Sequence, residues 1–384
     1  MTTIPPPPWA PLSDAARAIM LAVLMRGPTP RSELARRIGL SAGSLTRLTA
    51  PLLENGLLEE AGPSRGGTGR PTRPLDVAGG THHFLGVKVT DEDAHLVVTD
   101  LRAQIVAGAR AELTGHSPGD VVATVRREAA ALAGRAPAPT AAGLSLGGQV
   151  TDHATVTAAP FLHWHEDVPL GALLTAALGL PTVVDNDLLA LTRAEHWFGA
   201  ARGHDRFAVI TTGISVGYGL VVHDRIVDSP DAGLGLIAHL PLDPYGPYCP
   251  DGHRGCATAM LAAPSIVAAV STGLRRPVPY EECLRLAEDG DPVAARVVTA
   301  SAYALGRLMT IVSSLTLAGR IVLTGEGIGL AEVGRDALED GMRADRHVAA
   351  TPPSYEIQPI DFSLWARGAA ATAIQRFILG PENG

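Results

Sequence analysis

The sequence predicts an α/β protein in which a small helical domain precedes a body of two α/β lobes. Apolar residues recur at three- to four-residue spacing in three segments between residues 13 and 54, a pattern typical of amphipathic helices. From about residue 82 onward, short apolar runs alternate with helical patterns in two successive sets. We place the helical domain at 1–78 and the body at 79–384, with a first lobe at about 79–195 plus the C-terminal helix and a second at about 196–365.

Composition limits the class of protein. A chain of 384 residues can form two or three hydrophobic cores. Two of its three cysteines lie in one loop, which argues against a disulfide framework and for a reducing compartment. No continuous apolar run approaches the roughly 18 residues that span a bilayer, and the N-terminus lacks the pattern of a secretory signal. We expect a cytoplasmic protein with no membrane partner.

Charge is distributed unevenly along the chain. The net charge is −8, yet residues 13–75 hold nine arginines and five acidic residues, so this segment is +4 and the remainder is near −12. A basic segment on an acidic body indicates that contact with nucleic acid is confined to one small domain.

The three N-terminal helices have the order of a helix-turn-helix, and the residues that begin and end them fit that motif. They are expected to follow Ser13, Thr29-Pro30 and Ser41, and the first two to end at Gly27 and Gly39. Gly39 permits a left-handed turn, and the small Ala35 lets two helices approach. Pro51 is expected to kink the third helix or to end its regular part.

The third helix and a following hairpin offer a DNA-binding surface. The helix would expose small or hydrogen-bonding side chains and one cation, which suit base edges in a major groove. Strands at 57–61 and 73–77 would flank a basic wing that can enter a minor groove. The predicted DNA-binding residues are Ser41, Ser44, Thr46, Arg47, Arg65, Arg70 and Arg73. The alternative is a protein-interaction module with a solvated basic hairpin.

In the body, several predicted strands end at residues suited to ligand binding. We expect strands at 84–89, 95–99, 141–146, 182–184, 207–211 and 320–323, one more strand ending near Ala107, and a helix at 118–133. Gly147-Gly148 and Asn186-Asp187 follow two of these strands, and a glycine-rich turn spans 212–219. Two sets of β/α units suggest two lobes around a cleft.

The loop at 233–256 gathers metal-binding residue types. It holds a histidine, two cysteines and several Pro, Gly and Asp residues, a composition that usually indicates a structural metal, most often zinc. The alternative is a metal-free loop held by proline and glycine, with the thiols as small buried groups. Cys283 stands alone in a helical stretch and is expected in the core.

The order of these motifs resembles the ROK family, the group of repressors, open reading frames and kinases with an actin-like ATPase fold. The resemblance covers nearly the whole chain and rests on the winged helix, Asn186-Asp187, the turn 213–219 and the loop from His239 to Cys256. The N-terminal domain places the chain with the family's regulators, typified by xylose and N-acetylglucosamine repressors. A double-stranded DNA operator, a sugar-derived effector, and a homodimer or dimer of dimers are the partners that the resemblance implies.

The resemblance also implies which activities are absent. ROK kinases carry Asp-x-Gly-Gly-Thr in the first hairpin, where the glycines admit phosphates and the Asp holds the metal. The aligned residues here are Lys88-Val89-Thr90-Asp91-Glu92, so no ATP binding and no enzyme activity are expected. Asp187 aligns with the family's catalytic base and is expected to accept a hydrogen bond from a sugar hydroxyl, or else to cap a helix.

The sugar-binding residues of the family are partly replaced. Phe161, Leu236 and Thr258 stand where the family has an Asn and two Glu side chains. The ligand residues implied by the resemblance are Gly147, Gly148, Asn186, Asp187 and His239. Lost polar partners predict a less polar effector or a degenerate sensor.

The family's zinc loop is His…Cys-x-Cys-Gly-x-x-Gly-Cys. The resemblance therefore implies a structural Zn²⁺ on His239, Cys249, Asp251 and Cys256, with Asp251 at the second Cys position and His253 as an alternative fourth donor. We predict a transcriptional regulator, most simply a repressor, of carbohydrate or secondary metabolism genes. The alternatives are a sugar kinase fused to a DNA-binding domain and a ligand-independent DNA-binding scaffold.

Overall fold

The structure is a computed structural model, and it describes residues 12–62, 73–229, 231, 233–358 and 361–380. The chain divides into two compact units: unit 1, Met1–Gly203 with Phe362–Gly384, and unit 2, His204–Asp361. The helical domain and the first predicted lobe both belong to unit 1, so the boundary expected at residue 78 stays a prediction.

The secondary structure has the mixed α/β composition that the sequence predicts. The helices are α1 Asp14–Arg26, α2 Arg31–Ile38, α3 Ala42–Glu54, α4 Pro118–Leu132, α5 Leu170–Leu178, α6 Asp187–Phe198, α7 Ala257–Leu261, α8 Ala263–Leu274, α9 Tyr280–Glu288, α10 Pro292–Thr316, α11 Gly329–Val333, α12 Arg335–Ala344 and α13 Phe362–Leu379. The strands are β1 Leu58–Glu60, β2 Leu75–Val77, β3 His83–Val89, β4 Asp93–Asp100, β5 Ile105–Glu112, β6 Ala141–Leu146, β7 Gln149–Thr151, β8 Thr155–Ala158, β9 Thr182–Asn186, β10 Arg206–Thr212, β11 Val216–Val222, β12 Arg225–Ile226, β13 Arg320–Thr324 and β14 Ser354–Ile357. A short 3₁₀ helix, Pro160–Leu162, lies between β8 and α5.

Capping residues set the helix boundaries of the N-terminal domain. The Ser13 and Ser41 side chains accept hydrogen bonds from backbone amides in the first turns of α1 and α3, at 3.3 and 3.1 Å. Gly27 (φ 81°) and Gly39 (φ 72°) end α1 and α2 in conformations that favour glycine. β1 and β2 pair antiparallel at the base of the predicted wing, whose tip at 63–72 lies outside the described residues.

Of the two outcomes expected for Pro51, a kink or an end to the regular part of α3, the structure does not show the end. The helix continues to Glu54, with Pro51 inside its last turns. The proline ring removes one main-chain donor and crowds the carbonyl four residues earlier. Leu52, the next residue, is buried in the domain core. Burial of a leucine side chain contributes about 1.5–3 kcal/mol, which offsets much of that loss.

The sheet of unit 1 brings several strand ends to one edge. Its order is β5-β4-β3-β6-β9, with β3, β6 and β9 parallel and β4 and β5 added antiparallel. β5 pairs with β4 as far as Glu112, beyond the end expected near Ala107. Because the carboxyl ends of parallel strands share an edge, Gly147 and Asp187 lie together, beside the turn that follows Val89.

The C-terminal helix α13 packs directly on this sheet, because glycine removes a side chain where the two backbones meet. A Cβ at Gly143 of β6 would lie 1.9 Å from the carbonyl oxygen of Ala369, and one at Gly86 of β3 would lie 2.1 Å from that of Ala366. The helix is rich in alanine on the buried side. Close backbone packing therefore makes α13 part of unit 1 despite its distance in sequence.

The helical domain shares its core with the rest of unit 1. Apolar residues of α1 to α3 form one buried cluster with Phe84 of β3 and Ile374 of α13. Arg202, which follows α6, donates hydrogen bonds to the carbonyls of Leu24 and Met25 at the end of α1. Burial lowers the pKa of the Arg202 guanidinium. Carbonyls at the C-terminus of α1, which lack partners within the helix, thus have a cationic partner.

A second arginine holds the base of the wing. Arg102, in the turn between β4 and β5, donates to Glu59 of β1 at 2.5 Å and to Asp76 of β2 at 2.9 Å. These contacts tie both strands of the hairpin to the five-stranded sheet of unit 1.

Unit 2 is built around a second five-stranded sheet, in the order β12-β11-β10-β13-β14. Helix α10 crosses closely over α12, where a Cβ at Gly306 would lie 1.9 Å from the carbonyl oxygen of Leu338. The sequence suggested no stretch apolar enough for a membrane span. Among the described residues one helix, α10, does qualify by length and composition, but 61% of its most apolar window is buried within the chain, as in the core helix of a folded domain.

Candidate functional site

The side chain of Asn186 forms hydrogen bonds with the backbone around it. As the residue before α6, it accepts hydrogen bonds through Oδ1 from the amides of Leu188 (3.0 Å) and Leu189 (3.2 Å). Its amide nitrogen donates to the carbonyl oxygen of Gly148 at 2.9 Å. The side chain is buried and joins the end of β9 to the β6–β7 turn. Asn186 therefore positions the neighbouring residues, with both ends of its amide in use.

Asp187 forms an ion pair that the sequence did not reveal. Its Oδ1 accepts from the Leu188 amide at 2.8 Å, and its Oδ2 accepts from the ammonium of Lys88 on β3. The side chains of Lys88 and Asp187 are 7% and 18% exposed. The Lys88 ammonium also lies over the ring of Trp365, 5.1 Å from its centroid.

Gly147 and Phe161 border the same carboxylate. A Cβ at Gly147 would lie 3.3 Å from the Phe161 ring and 3.6 Å from Oδ2 of Asp187, so the glycine leaves room between them. Gly148 is needed for packing, because its Cβ would lie 2.2 Å from the carbonyl oxygen of Ala158. We call Lys88, Gly147, Phe161 and Asp187 the Asp187 site.

A polar layer lies beneath this site. Lys88, Ser145 and Asp185 are in register on neighbouring strands and face the same side of the sheet. Asp185 accepts from Arg193 of α6 at 3.1 Å and from Thr372 of α13 at 3.3 Å. The buried Ser145 hydroxyl has no hydrogen-bond partner among the described residues.

In unit 2, the carboxylate of Glu326 packs against the backbone of the glycine-rich turn. β11 begins at Val216, so the turn itself is only the short segment after Thr212. A Cβ at Gly213 would lie 2.1 Å from Oε2 of Glu326, and the amide of Gly327 donates to the carbonyl oxygen of Thr212 at 2.8 Å. The space that the missing side chain of Gly213 leaves is thus occupied by Glu326, in the segment that follows β13.

The loop before α7 brings two cysteines and two histidines together. The Cys249 sulfur lies 3.8 Å from Nδ1 of His239 and 3.6 Å from Nδ1 of His253, and the Cys256 sulfur lies 3.8 Å from Nδ1 of His239. Tetrahedral zinc, with Zn–S near 2.3 Å and Zn–N near 2.0–2.1 Å, separates S from N by about 3.6 Å. Ligand atoms of His239, Cys249 and His253 all lie within 4.8 Å of one another. The donor set fits a structural zinc.

Asp251 lies on the other side of His239. Its carboxylate is 3.4 Å from Nε2 of His239, whereas the two sulfurs face Nδ1, and its side chain is 66% exposed. The predicted ligand Asp251 is therefore placed to orient His239, and His253 stands beside the thiols. Both ring nitrogens of His239 have partners in unit 2. A sugar hydroxyl would compete with these partners if His239 also contacts a sugar, as predicted.

The thiols are held in different electrostatic settings. Burial raises the pKa of Cys249, but hydrogen bonds from His253, Asp251 and Cys256 outweigh burial and lower that pKa to about 6. Burial raises the pKa of Cys256, whose sulfur caps α7 by accepting from the Ala259 amide at 3.5 Å. Cys283 is buried in the main core of unit 2, as expected.

The predicted recognition helix exposes one unpaired cation. Ser41 caps α3, its hydroxyl lies 3.0 Å from that of Ser44, and the Thr46 hydroxyl donates to the carbonyl of Ala42 at 2.9 Å. Arg47 is exposed and makes no hydrogen bond or ion pair within the described part of the chain. Arg73 pairs with Glu60 at 3.4 Å. Arg65 and Arg70 lie outside the described residues.

Comparison with known proteins identifies the family. The profile of the ROK family matches residues 84–353, well over half of the chain. The chain belongs to the ROK family. The resemblance inferred from its motifs is confirmed.

Transcriptional regulators and a kinase are similar to this ROK chain. The DNA-binding transcriptional repressor Mlc of Escherichia coli (strain K12) is 24% identical over 343 residues, 85% of this chain and 84% of Mlc. The crystal structure of a ROK family transcriptional regulator, a homologue of the E. coli protein, covers 96% of both chains with a TM-score of 0.78 and 23% identity. A ROK glucokinase from Streptomyces griseus, solved with glucose and AMPPNP, is also 23% identical and covers 76% of this chain and 98% of its own, with a TM-score of 0.63. The predicted fold class is confirmed.

The resemblance predicts that Lys88 stands where the kinases have a metal-holding aspartate and that Asp187 stands where they have the catalytic base. In the structure these two side chains form an ion pair. Three residues are predicted to stand where the family has polar sugar ligands. Phe161 lies beside Asp187, Leu236 is exposed, and the Thr258 hydroxyl donates to the carbonyl of Ala238 at 2.9 Å.

Proposed function

We propose that this ROK protein is a DNA-binding transcriptional repressor of carbohydrate or secondary metabolism genes. The observation that carries the proposal is a helix-turn-helix with an exposed recognition helix, joined to a ROK body. The domain shares a core with unit 1 and is held by Arg102 and Arg202. Mlc, similar over most of both chains, is named a DNA-binding transcriptional repressor.

The contacts at the Asp187 site and at the glycine-rich turn after Thr212 favour a regulator over a kinase. A phosphoryl-transfer site needs a metal near the transferred phosphate and a base free to accept a proton. Here Asp187, which the resemblance aligns with that base, is paired with the ammonium of Lys88, and Glu326 lies against Gly213 of the glycine-rich turn. The expected result is no ATP turnover with any hexose, measured by coupled release of ADP, and a measurable turnover would favour the fused-kinase alternative.

The other parts of the proposal concern ligand, metal and assembly. The Asp187 site is the place for a sugar-type effector, and the loop of His239, Cys249, His253 and Cys256 would hold a structural zinc. Paired half-sites in operators make a homodimer, or a dimer of dimers, the expected assembly. All three cysteines are buried and free of disulfides, which supports a cytoplasmic location. A thermal-shift screen with sugars separates this regulator from a ligand-independent scaffold.

The test of DNA binding is the substitution Arg47→Ala. We expect the variant to lose about 1–3 kcal/mol of binding free energy for the cognate site, since Arg47 is the free cation on the exposed face of α3. The cognate site is first selected from random DNA by the purified chain, and affinities are then measured by fluorescence anisotropy at several salt concentrations.

The control is Arg126→Ala, which removes an exposed arginine of α4 that has no partner in the described ranges. It should bind the selected DNA like the parent. Arg70→Ala should weaken binding to all sequences and reduce its salt dependence. If Arg47→Ala and Arg70→Ala both retain full affinity, the helical domain is not the DNA-binding surface.

A further inference from the structure

Lys88 is the only lysine in the chain, against 30 arginines, and it is buried at the edge of the Asp187 site. Its ammonium has three donors, of which the described residues accept one, at Asp187. The ammonium also lies over the ring of Trp365, 5.1 Å from the ring centroid. A buried cation keeps unused donors only where some other acceptor reaches it.

We propose that Lys88 is a ligand-contacting residue, and that Lys88 and Asp187 together bind one hydroxyl of an uncharged polyhydroxylated ring. The hydroxyl accepts from the ammonium and donates to the carboxylate. The ammonium supplies a fixed positive charge beside Asp187, so binding needs no divalent cation. This inference rests on the effector site proposed above and assigns its ligand class.

The charges of the site favour a neutral ligand over a sugar phosphate or a sugar acid. Lys88 and Asp187 are oppositely charged and in contact, so their charges largely cancel. A helix N-terminus could attract an anion, but two amides in the first turn of α6, those of Leu188 and Leu189, already donate to Asn186 and Asp187. A second anion at Oδ2 of Asp187 would meet like charge.

The apolar wall of the site suits a ring. Phe161 is 44% exposed, and its ring lies next to Gly147, which has no side chain to cover it. An aromatic face packs on the C–H face of a cyclic ligand, while the edge hydroxyls reach polar groups. Phe161 and the Lys88–Asp187 pair thus place an apolar surface beside a polar one.

The single lysine makes the test direct. Protein grown with ¹³Cε-lysine gives one side-chain resonance, that of Lys88. We expect this resonance to shift saturably on titration with a neutral sugar from a panel of D-glucose, D-xylose and N-acetyl-D-glucosamine. Glucose 6-phosphate and D-gluconate should bind at least ~10-fold more weakly, and added Mg²⁺ should leave the neutral-sugar affinity unchanged.

Variants test the pair independently of the resonance. Lys88→Met should weaken the neutral sugar by ~10- to 100-fold in calorimetry, because a hydroxyl and the Asp187 carboxylate lose a charged donor. The double variant Lys88→Met with Asp187→Asn should lose little more, since the two residues act on one hydroxyl. Lys88→Arg keeps the positive charge. Its sugar affinity, measured in the same way, shows whether a folded variant with a cation at this position still binds the sugar.

Three results would overturn the inference. They are a Lys88 resonance that no panel member moves, a preference for the anionic sugars, and a requirement for Mg²⁺. Operator binding by the sugar-free Lys88 variants is measured in parallel. Its retention together with any of these results rejects the ligand assignment alone, whereas absence of DNA binding in the parent chain rejects the proposed function.

Discussion

Gly143→Ala is expected to lower the free energy of unfolding of unit 1 by about 3 kcal/mol, at the upper end of the usual cost of overpacking. The added methyl would lie 1.9 Å from the carbonyl oxygen of Ala369, so α13 would have to move away from β6. Backbone contacts of this kind cannot relax through a rotamer change. The same shift would loosen the shared core that holds the helical domain.

Tryptophan fluorescence during urea unfolding measures this effect in one unit. The tryptophans of the described residues, Trp164, Trp197 and Trp365, belong to unit 1. The matched control is Gly108→Ala on β5 of the same sheet, where the nearest atom to the new Cβ is 3.4 Å away. A Gly143→Ala midpoint equal to that of the control would show that α13 does not press on β6 as described.

Much of this fold could be predicted because local signals and tertiary structure agree. Ser13, Gly39 and Ser41 mark helix ends by chemistry that acts within one turn. Apolar runs at 84–89 and 141–146 became adjacent parallel strands, as their burial required. Pro51 does not end α3 because its local cost is offset by tertiary burial of the neighbouring Leu52, which no local pattern shows.

The candidate site was harder to predict, because its contacts depend on strand register and on loop geometry. Lys88 and Asp187 are 99 residues apart and meet only because β3 and β9 flank β6. The one available signal was that the chain uses a single lysine, and uses it in an apolar strand. Asn186 is predicted to contact ligand; its cap on α6 follows from its place in the sequence, whereas its hydrogen bond to Gly148 depends on the sheet.

The metal loop shows the same limit on sequence reasoning. Alignment with the family places Asp251 where a cysteine would be, and that position alone suggested a ligand. Spatially, His253 is nearer to the thiols, since its Nδ1 lies 3.6 Å from the Cys249 sulfur while Asp251 contacts the opposite nitrogen of His239. The positive φ of Gly252 (84°) allows the turn that brings His253 back toward Cys249.

Substitution of Cys249 or Cys256 by alanine is expected to abolish zinc binding, from about one ion per chain to none. Thiolate ligands dominate affinity at such sites, and structural zinc contributes directly to folding free energy. Zinc content of the purified chains is measured by mass spectrometry, and unit 2 stability by limited proteolysis. Cys283→Ala, which removes the third cysteine from the apolar core, is the control and should keep the full zinc content.

The comparison of His253→Ala with Asp251→Ala decides the fourth ligand. If His253 binds the metal, its removal should cost zinc under competition with a chelator, as the cysteine variants do. Asp251→Ala should keep one zinc per chain with ~10- to 100-fold lower affinity, the usual cost of losing a carboxylate that orients a metal-bound histidine. The reverse order of the two variants would make Asp251 the ligand. A parent chain without zinc would instead establish a loop held by its backbone, in which the amide of Cys249 donates to the carbonyl of His253 at 2.9 Å.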